Sequence, residues 1–396
     1  VFAGLKQIVA VTLLNLRTIP ARLGSSAVGV VGIAGVVVVL VSVLSIAAGF
    51  AAAMRGNGSD ARAVVMRSGA DAEMSSILTG PEMELIKQAP GIVRDGQTPV
   101  ASAELFVILA VPKKSTGTDA NVPMRGIEPS VMQVRQDASI VAGRMLEFGT
   151  NEVIVGRGAN SQFAGLNVGD EMRSGQVSWK VVGLFEQDGG VSESEIWCDA
   201  RTLQGTYRRG NSYQSVLARL EGAGSYDAFK DWLTTNKQLS VNVRRESEYY
   251  VSQSQLMTQL IEGIGIGIAV LMGLGAIFGA ILTMYTAVAS RTREIATLRA
   301  LGFNRISVVI SVLGEALALG AIGGAIGGAL AYVAFNGYQT STMNFQTFSQ
   351  VAFAFLVTPA LLMMGLIYAL ALGLIGGLFP AIRAARLPIP SALREL

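Results

Sequence analysis

The chain has 396 residues, half of them hydrophobic, with a mean hydropathy of +0.47, only 15% charged residues and a net charge of +3, the proportions of a membrane protein with a water-soluble part inside it. It contains no histidine, one cysteine (Cys198) and no G-x-x-x-x-G-K-[ST] loop. This excludes an internal disulfide framework, histidine-based catalysis or zinc binding, and a Walker A nucleotide site, and the small net charge gives no reason to expect a nucleic-acid partner.

Residues 1–22 open with helical spacing of Leu5, Ile8, Val9, Leu13 and Leu16, with Lys6, Gln7, Asn15 and Arg17 elsewhere on the wheel. This predicts an amphipathic helix in the membrane interface. A signal peptide fits poorly, because the apolar run that follows is too long. Residues 23–54 carry no charge and predict the first membrane span.

Residues 55–254 are charged and turn-rich, enough for one folded domain or two subdomains. Strands are predicted at 62–67, 107–111, 139–143 and 153–155, with a polar loop over 113–121. Thr79 before Pro81 predicts a capped helix to Lys87, with Gly91 after it. Residues 165–170 form a turn cluster, and Val177, Trp179 and Val181 alternate with Ser178, Lys180 and Val182 in the period-two pattern of a strand. Cys198, beside Trp197, reads as a small packed residue rather than a reactive thiol. Residues 246–256 return to a helix expected to run straight into the membrane.

The second span is predicted over 255–290, with no charge between 263 and 290. Gly265-Ile266-Gly267 is no nucleotide fingerprint, since no third glycine and no βαβ unit surround it; Gly275 and Gly279 form a GxxxG pair suited to close helix packing. Residues 291–305 are a basic interruption. Ile295, Leu298 and Gly302 make an apolar or bare stripe, with Arg291, Arg293 and Arg299 off it and Arg291 able to pair with Glu294. Gly302 suits a helix C-terminus and Asn304 the cap of the next helix. The third span is predicted over 306–335, with a packing stripe at Gly320, Gly324, Gly327 and Gly328. Glu315 lies inside it, where an unpaired carboxylate costs roughly 2–3 kcal/mol. Its readings are pairing with an arginine or backbone groups, or a conformational latch or proton site. Residues 336–350 are expected to be a short uncharged loop, 351–380 the fourth span ended by Pro380, and 381–396 a tail with Arg383, Arg386 and Arg394. The positive-inside rule then places both termini and the Arg291 loop in the cytosol and the large domain outside. The implied fold is four transmembrane α-helices with a large mixed α/β domain between the first and second.

The wording of several stretches adds to this. Arg291-x-x-Glu294-Ile295-x-x-Leu298-Arg299-Ala300-x-Gly302, followed by Glu315 and a glycine-rich helix, resembles the permease domain of the MacB/FtsX/LolC group of ABC transporters. Asn15 to Arg22 resembles that family's basic lead-in, Pro123-Met124-Arg125-Gly126-Ile127-Glu128-Pro129, Ala142-Gly143-Arg144 and Gly165–Asp170 with Val181-Val182-Gly183-Leu184-Phe185 its outer domain, and Phe379-Pro380-Ala381 through Ala384-Ala385-Arg386-Leu387 to Arg394 its C-terminal signature. The resemblance implies a bacterial inner-membrane permease without a fused ATPase, whose outer domain is periplasmic and splits into two subdomains. Arg291, Arg293, Glu294, Ile295, Leu298, Arg299 and Gly302 would dock on a separate ATP-binding subunit that carries ATP and Mg, while this chain binds no cofactor or metal and has no enzymatic activity of its own. A second permease, identical or a paralogue, is expected in the bilayer, with a periplasmic adaptor and outer-membrane channel as further partners. The cargo stays open among drugs, peptides, glycolipids and lipoproteins. The alternative is an FtsX-like module that transmits motion to a cell-wall hydrolase and carries nothing.

Overall fold

A computed structural model describes residues 23–56, 58–174 and 177–389, so the interfacial helix expected at 1–22 and the end of the tail, Arg394 included, lie outside the described residues. The chain forms two compact units. One comprises Gly49–Gln259 and Gln339–Ala354; the described part of the other comprises residues 23–48, Leu260–Tyr338 and residues 355–389.

The elements run α1 (Leu23–Gly56), β1 (Arg62–Arg67), β2 (Leu78–Thr79), α2 (Gly80–Lys87), β3 (Arg94–Asp95), β4 (Thr98–Pro99), β5 (Ala101–Pro112), β6 (Asp119–Ile127), α3 (Val131–Val134), β7 (Ser139–Gly143), β8 (Glu152–Gly156), α4 (Arg157–Gln162), β9 (Glu171–Ser174) and β10 (Val177–Glu186). There follow β11 (Ile196–Asp199), α5 (Ala200–Thr206), β12 (Ser212–Tyr213), β13 (Ser215–Arg219), α6 (Tyr226–Thr235), β14 (Val241–Arg245), α7 (Glu246–Ala289), α8 (Thr292–Ala300), α9 (Arg305–Phe335), β15 (Gln339–Asn344), β16 (Ser349–Ala354) and α10 (Pro359–Arg386).

In the first unit a ten-stranded mixed sheet runs β14-β1-β13-β5-β6-β11-β8-β10-β7, with β9 paired to β10. The long strand β5 serves two apolar clusters. Its first half joins β1, β13, α2 and α6 around Leu78, Ile86 and Phe229. Its second half joins β6, β8, β10 and β11 around Phe163 and Trp179. In β10, Trp179 and Val181 are buried while Ser178 and Lys180 face solvent, the alternation a half-buried strand requires. At the start of α2 the Glu82 carboxylate accepts from both the amide and the hydroxyl of Thr79, 2.9 and 2.8 Å away. This reciprocal closure, with Pro81 in the first turn, fixes where the helix begins. Cys198 is buried in β11, and burial pushes its thiol well above the usual range, which leaves it unreactive.

The segment expected to be a short loop over 336–350 is instead a β-hairpin, β15 with β16, that extends to Ala354. It belongs to the sheet-bearing unit. The Ala352 amide donates to Ser194 Oγ at 2.8 Å, Asn121 Nδ2 donates to the Phe348 carbonyl at 2.9 Å, and Phe353 meets Phe50 edge-on at 5.7 Å between ring centroids. The fourth membrane helix accordingly begins at Pro359, capped by Thr358, rather than at 351. Nor does Pro380 end it: the helix continues to Arg386 with Pro380 buried inside. Proline removes one backbone donor, and its clash is with the residue four positions back, which here is Gly376. The predicted loop at 113–121 also ends early, since Asp119 to Asn121 already pair with β5.

Among the described residues four helices, α1, α7, α9 and α10, are long and apolar enough to cross a membrane. The 44 residues of α7 extend about 66 Å at 1.5 Å per residue, more than twice a hydrocarbon core of about 30 Å. Its uncharged run begins only after Glu262, so residues 246–262 precede the membrane-spanning part. In the second unit α9 packs by backbone approach. A Cβ added to Gly320 would lie 2.8 Å from the Ala369 carbonyl oxygen, one on Gly324 2.8 Å from Ala369 Cβ, and one on Gly327 2.6 Å from the Ala34 carbonyl oxygen. Gly328 is in ordinary contact with Leu362. Gly275 and Gly279 do not share this packing: nothing described lies within 4 Å of where their Cβ would be. On α7 the close approaches fall at Gly265, against Val43, and Gly273, against Tyr368. Spacing alone does not separate an inward glycine from an outward one.

Candidate coupling site between the second and third spans

A 3.0 Å hydrogen bond joins Arg291 Nη1, just before α8, to Glu315 Oε2 in α9, with Arg291 Nη2 3.5 Å from Glu315 Oε1. Both residues are 4% exposed. Arg291 was expected on the outer side, within reach of Glu294; it turns inward because a buried carboxylate in a membrane helix has the stronger demand for a cation. The pair fixes the start of α8 to the first third of α9.

The end of α8 is fixed by backbone geometry. Gly302 has φ +94°, its amide donates to the Arg299 carbonyl, and the Phe303 amide donates to the Leu298 carbonyl. These two bonds make a Schellman turn, which places Gly302 where a side chain would be strained. Asn304 Oδ1 then accepts from the Ile306 amide at 3.4 Å and caps α9. Ile295 is buried among Met284, Val288, Val308 and Val312. Arg299 Nη1 donates to the Leu387 carbonyl at 2.6 Å, tying α8 to the chain just after α10.

The sequence-selected residues therefore divide. Arg291 and Ile295 face inward, Leu298 and Arg299 are half-buried, and Arg293, Glu294 and Gly302 are exposed. Sequence reasoning passed over Leu301, which is 73% exposed at the end of the helix. The signal was available: a leucine directly before a C-terminal glycine, beyond the last helical turn, has no helix face to join. Arg293, Glu294, Thr297, Ala300 and Leu301 together give a short, firmly mounted outward surface of mixed charge with an apolar tip. Among the described residues no group of three or more acidic, histidine or cysteine side chains could hold a metal ion.

The FtsX-like permease C-terminal family matches residues 266–389, the stretch that carries this site. The MacB-like periplasmic core domain matches residues 26–236, more than half of the chain. The chain belongs to the MacB/FtsX family of ABC transporter permeases. Two curated relatives of this MacB/FtsX-like chain bear uncharacterized ABC transporter permease names. MJ0797 of Methanocaldococcus jannaschii is 27% identical over 166 residues, which is 40% of this chain and 44% of the relative. YvrN of Bacillus subtilis is 31% identical over 166 residues, 40% of this chain and 38% of the relative. The match thus spans about two fifths of each relative's own length. Among solved structures, the extracellular domain of the noncanonic ABC-type transporter YknZ from Gram-positive bacteria is 16% identical, with 46% of this chain and 99% of that one covered and a TM-score of 0.35. The periplasmic region of MacB from Actinobacillus actinomycetemcomitans is 14% identical, covering 53% and 95%, with a TM-score of 0.37. Family membership accounts for the architecture: four membrane helices with a mixed α/β domain between the first and second.

Proposed function

We propose that this chain is a non-enzymatic membrane subunit that couples ATP hydrolysis in a separate cytoplasmic ATP-binding subunit to movement of its outer domain. The observation that carries the reading is the construction of α8. Its outer face, with Arg293, Glu294 and Leu301, is free among the described residues, while its two ends are pinned by the Arg291–Glu315 pair and the Arg299–Leu387 bond. A surface that is exposed yet rigidly mounted transmits a push instead of absorbing it. The arginines Arg293, Arg299, Arg305, Arg383 and Arg386 flank the membrane spans on this side, which favours the cytosol for α8 and the opposite side of a bacterial inner membrane for the sheet-bearing domain. ATP and Mg belong to the partner, as does the chemistry of hydrolysis.

The unpacked side of α7, with Leu271, Leu274 and Phe278 exposed and Gly275 and Gly279 open, suits a second permease, identical or paralogous. An outer domain of MacB type favours export or extraction of a substrate, with a periplasmic adaptor and outer-membrane channel as partners, over transmission to a cell-wall hydrolase. Glu294→Ala, or deletion of residues 299–302, is expected to leave the protein inserted in the membrane but to lower ATPase activity of the purified complex about tenfold, equivalent to about 1.4 kcal/mol. Unchanged ATPase activity together with unchanged binding of the ATP-binding subunit would remove α8 from the coupling path.

A further inference from the structure

The first turn of α7 enters a buried cluster of unbalanced charge. The carboxyl groups of Glu73, Glu104, Glu195 and Glu246 belong to residues 5%, 1%, 3% and 0% exposed. Among the described residues, three guanidiniums pair with them, those of Arg62, Arg125 and Arg135. Arg125 uses all five of its N–H groups on Glu73, Glu104 and Glu195, at 2.7 to 2.9 Å. Arg135 donates to both oxygens of Glu104, at 2.9 and 3.1 Å. Arg62 is divided: its Nη1 and Nη2 reach Asp137, and its Nε reaches Glu246 Oε2 at 2.5 Å.

Glu246 is the carboxyl this network serves least. Its Oε2 accepts from Arg62 and from the Ser59 amide at 3.2 Å. Its Oε1 is buried with no hydrogen-bond partner among the described residues, and Arg135 Nη1 stands 3.5 Å away without donating to it. An ionised carboxylate with one bare oxygen and no access to water is strongly disfavoured relative to its neutral form. The first turn of α7 is closely packed on the side of residues 58–60. A Cβ on Gly58 would lie 2.5 Å from Ser247 Cα, so the residues after α1 lie directly on the first turn of α7. Arg245 Nη1 donates to the Asp60 carbonyl at 3.1 Å, and the Ser247 hydroxyl bonds the Asp60 carboxylate.

We propose that closure of this joint, in which the first turn of α7 seats against residues 58–62 and Arg135, takes up a proton at Glu246, so that acid tightens the joint and alkali loosens it. Burial pushes the Glu246 carboxyl above its usual range, and Arg62 and Arg135 offset this only in part. The other groups facing it do not supply the same effect. Tyr250, one turn along α7, is pushed far above the neutral range by burial. Asp137, though partly buried, is held below the carboxylate range by hydrogen bonds from Arg62 and Gln187, and Glu73, though buried, by Arg125 and Ser215.

The signs separate these groups. When the joint opens, Glu246 returns to an ordinary value near about 4.3. Closure therefore binds a proton between that value and the raised one, and its stability is lost as pH rises through the raised value. Asp137 and Glu73 contribute in the opposite sense, with stability that is lost only as pH falls below about 4. Strengthening by acid above about pH 5 has the sign of Glu246 and the opposite sign to Asp137 and Glu73.

The inference does not depend on the ATPase-coupling reading, and its test needs no partner. Full-length protein in lipid nanodiscs is followed by hydrogen–deuterium exchange at about pH 5.5 and about pH 8, corrected for intrinsic rates, in peptides covering residues 58–67 and 246–256. One linked proton changes the equilibrium by at most about tenfold per pH unit, and protection is expected to be greater at the lower pH. Glu246→Gln, a neutral isostere, is expected to be equally protected at both. Protection that is flat or rises with pH in the wild type, or a slope that persists in Glu246→Gln, overturns the proposal. Should that variant fail to fold, infrared titration of the wild type decides: a protonated-carboxyl band that fades across this interval supports the proposal, and no such band overturns it.

Discussion

At the centre of the sheet-bearing unit, guanidiniums and carboxylates occupy space that leucine or phenylalanine would fill in a simpler core: Arg125 is 2% exposed and Arg135 1%. At the contact of α9 with α10 and α1, the closest approaches are made where α9 carries no side chain. Gly320, Gly324 and Gly327 face Ala369, Gly373 and Ala34. The first region is specified by groups that must all be present, since removing one leaves buried charge behind. The second is specified by groups that must all be missing, since lipid is as apolar as the helices and only close backbone approach distinguishes helix from solvent. The first should therefore fail on deletion of a side chain and the second on addition of one.

The largest effect is expected from Arg125→Leu. It strips Glu73, Glu104 and Glu195 of the cation they share, and breaking a buried pair costs about 3–5 kcal/mol even with one partner. The domain should lose its fold at ambient temperature, read by the fluorescence of buried Trp179 and Trp197. A variant that melts like the wild type would mean that the carboxyls are neutral and the cluster is not ionic. Next in size is Gly327→Leu, whose side chain would meet the Ala34 carbonyl oxygen at 2.6 Å. Overpacking of this kind costs about 1–3 kcal/mol, read as thermal stability in detergent. The matched substitution Gly279→Leu should be tolerated by an isolated chain, because its surroundings are open. Equal loss in both would show that α7 is covered in the purified assembly. The smallest effect is expected from Glu82→Ala, which removes the reciprocal cap at Thr79 and should lower stability by about 1 kcal/mol in a urea titration.

What could be read from the sequence follows the range of each interaction. The Thr79–Glu82 cap, the alternation around Trp179 and the Gly302–Asn304 break are decided within a few residues, and local chemistry identifies them. The hairpin over β15 and β16 looks like an uncharged loop because its partners, Ser194, Asn121 and Phe50, lie more than 150 residues away in the chain. Arg125 is conspicuous within a family motif, yet its carboxylates come from three separate segments at 73, 104 and 195. The inward turn of Arg291 was missed for the opposite reason. Glu294 was close enough in sequence to look like a sufficient partner, and the greater need of Glu315 is visible only once the fold brings the two helices together.

The hairpin also bears on the order in which the protein is made. Ribosomal synthesis runs from the N-terminus, and domains generally fold as their segments emerge. Here the ten-stranded sheet is complete with β14 at Arg245, but the hairpin strands that finish the same unit, Gln339–Asn344 and Ser349–Ala354, are translated only after two further membrane helices. Until then Phe50 and Ser194 lack the hairpin contacts that cover them in the finished protein. The nascent sheet-bearing unit must wait, incomplete, for the third helix to be made before its hairpin can close on it.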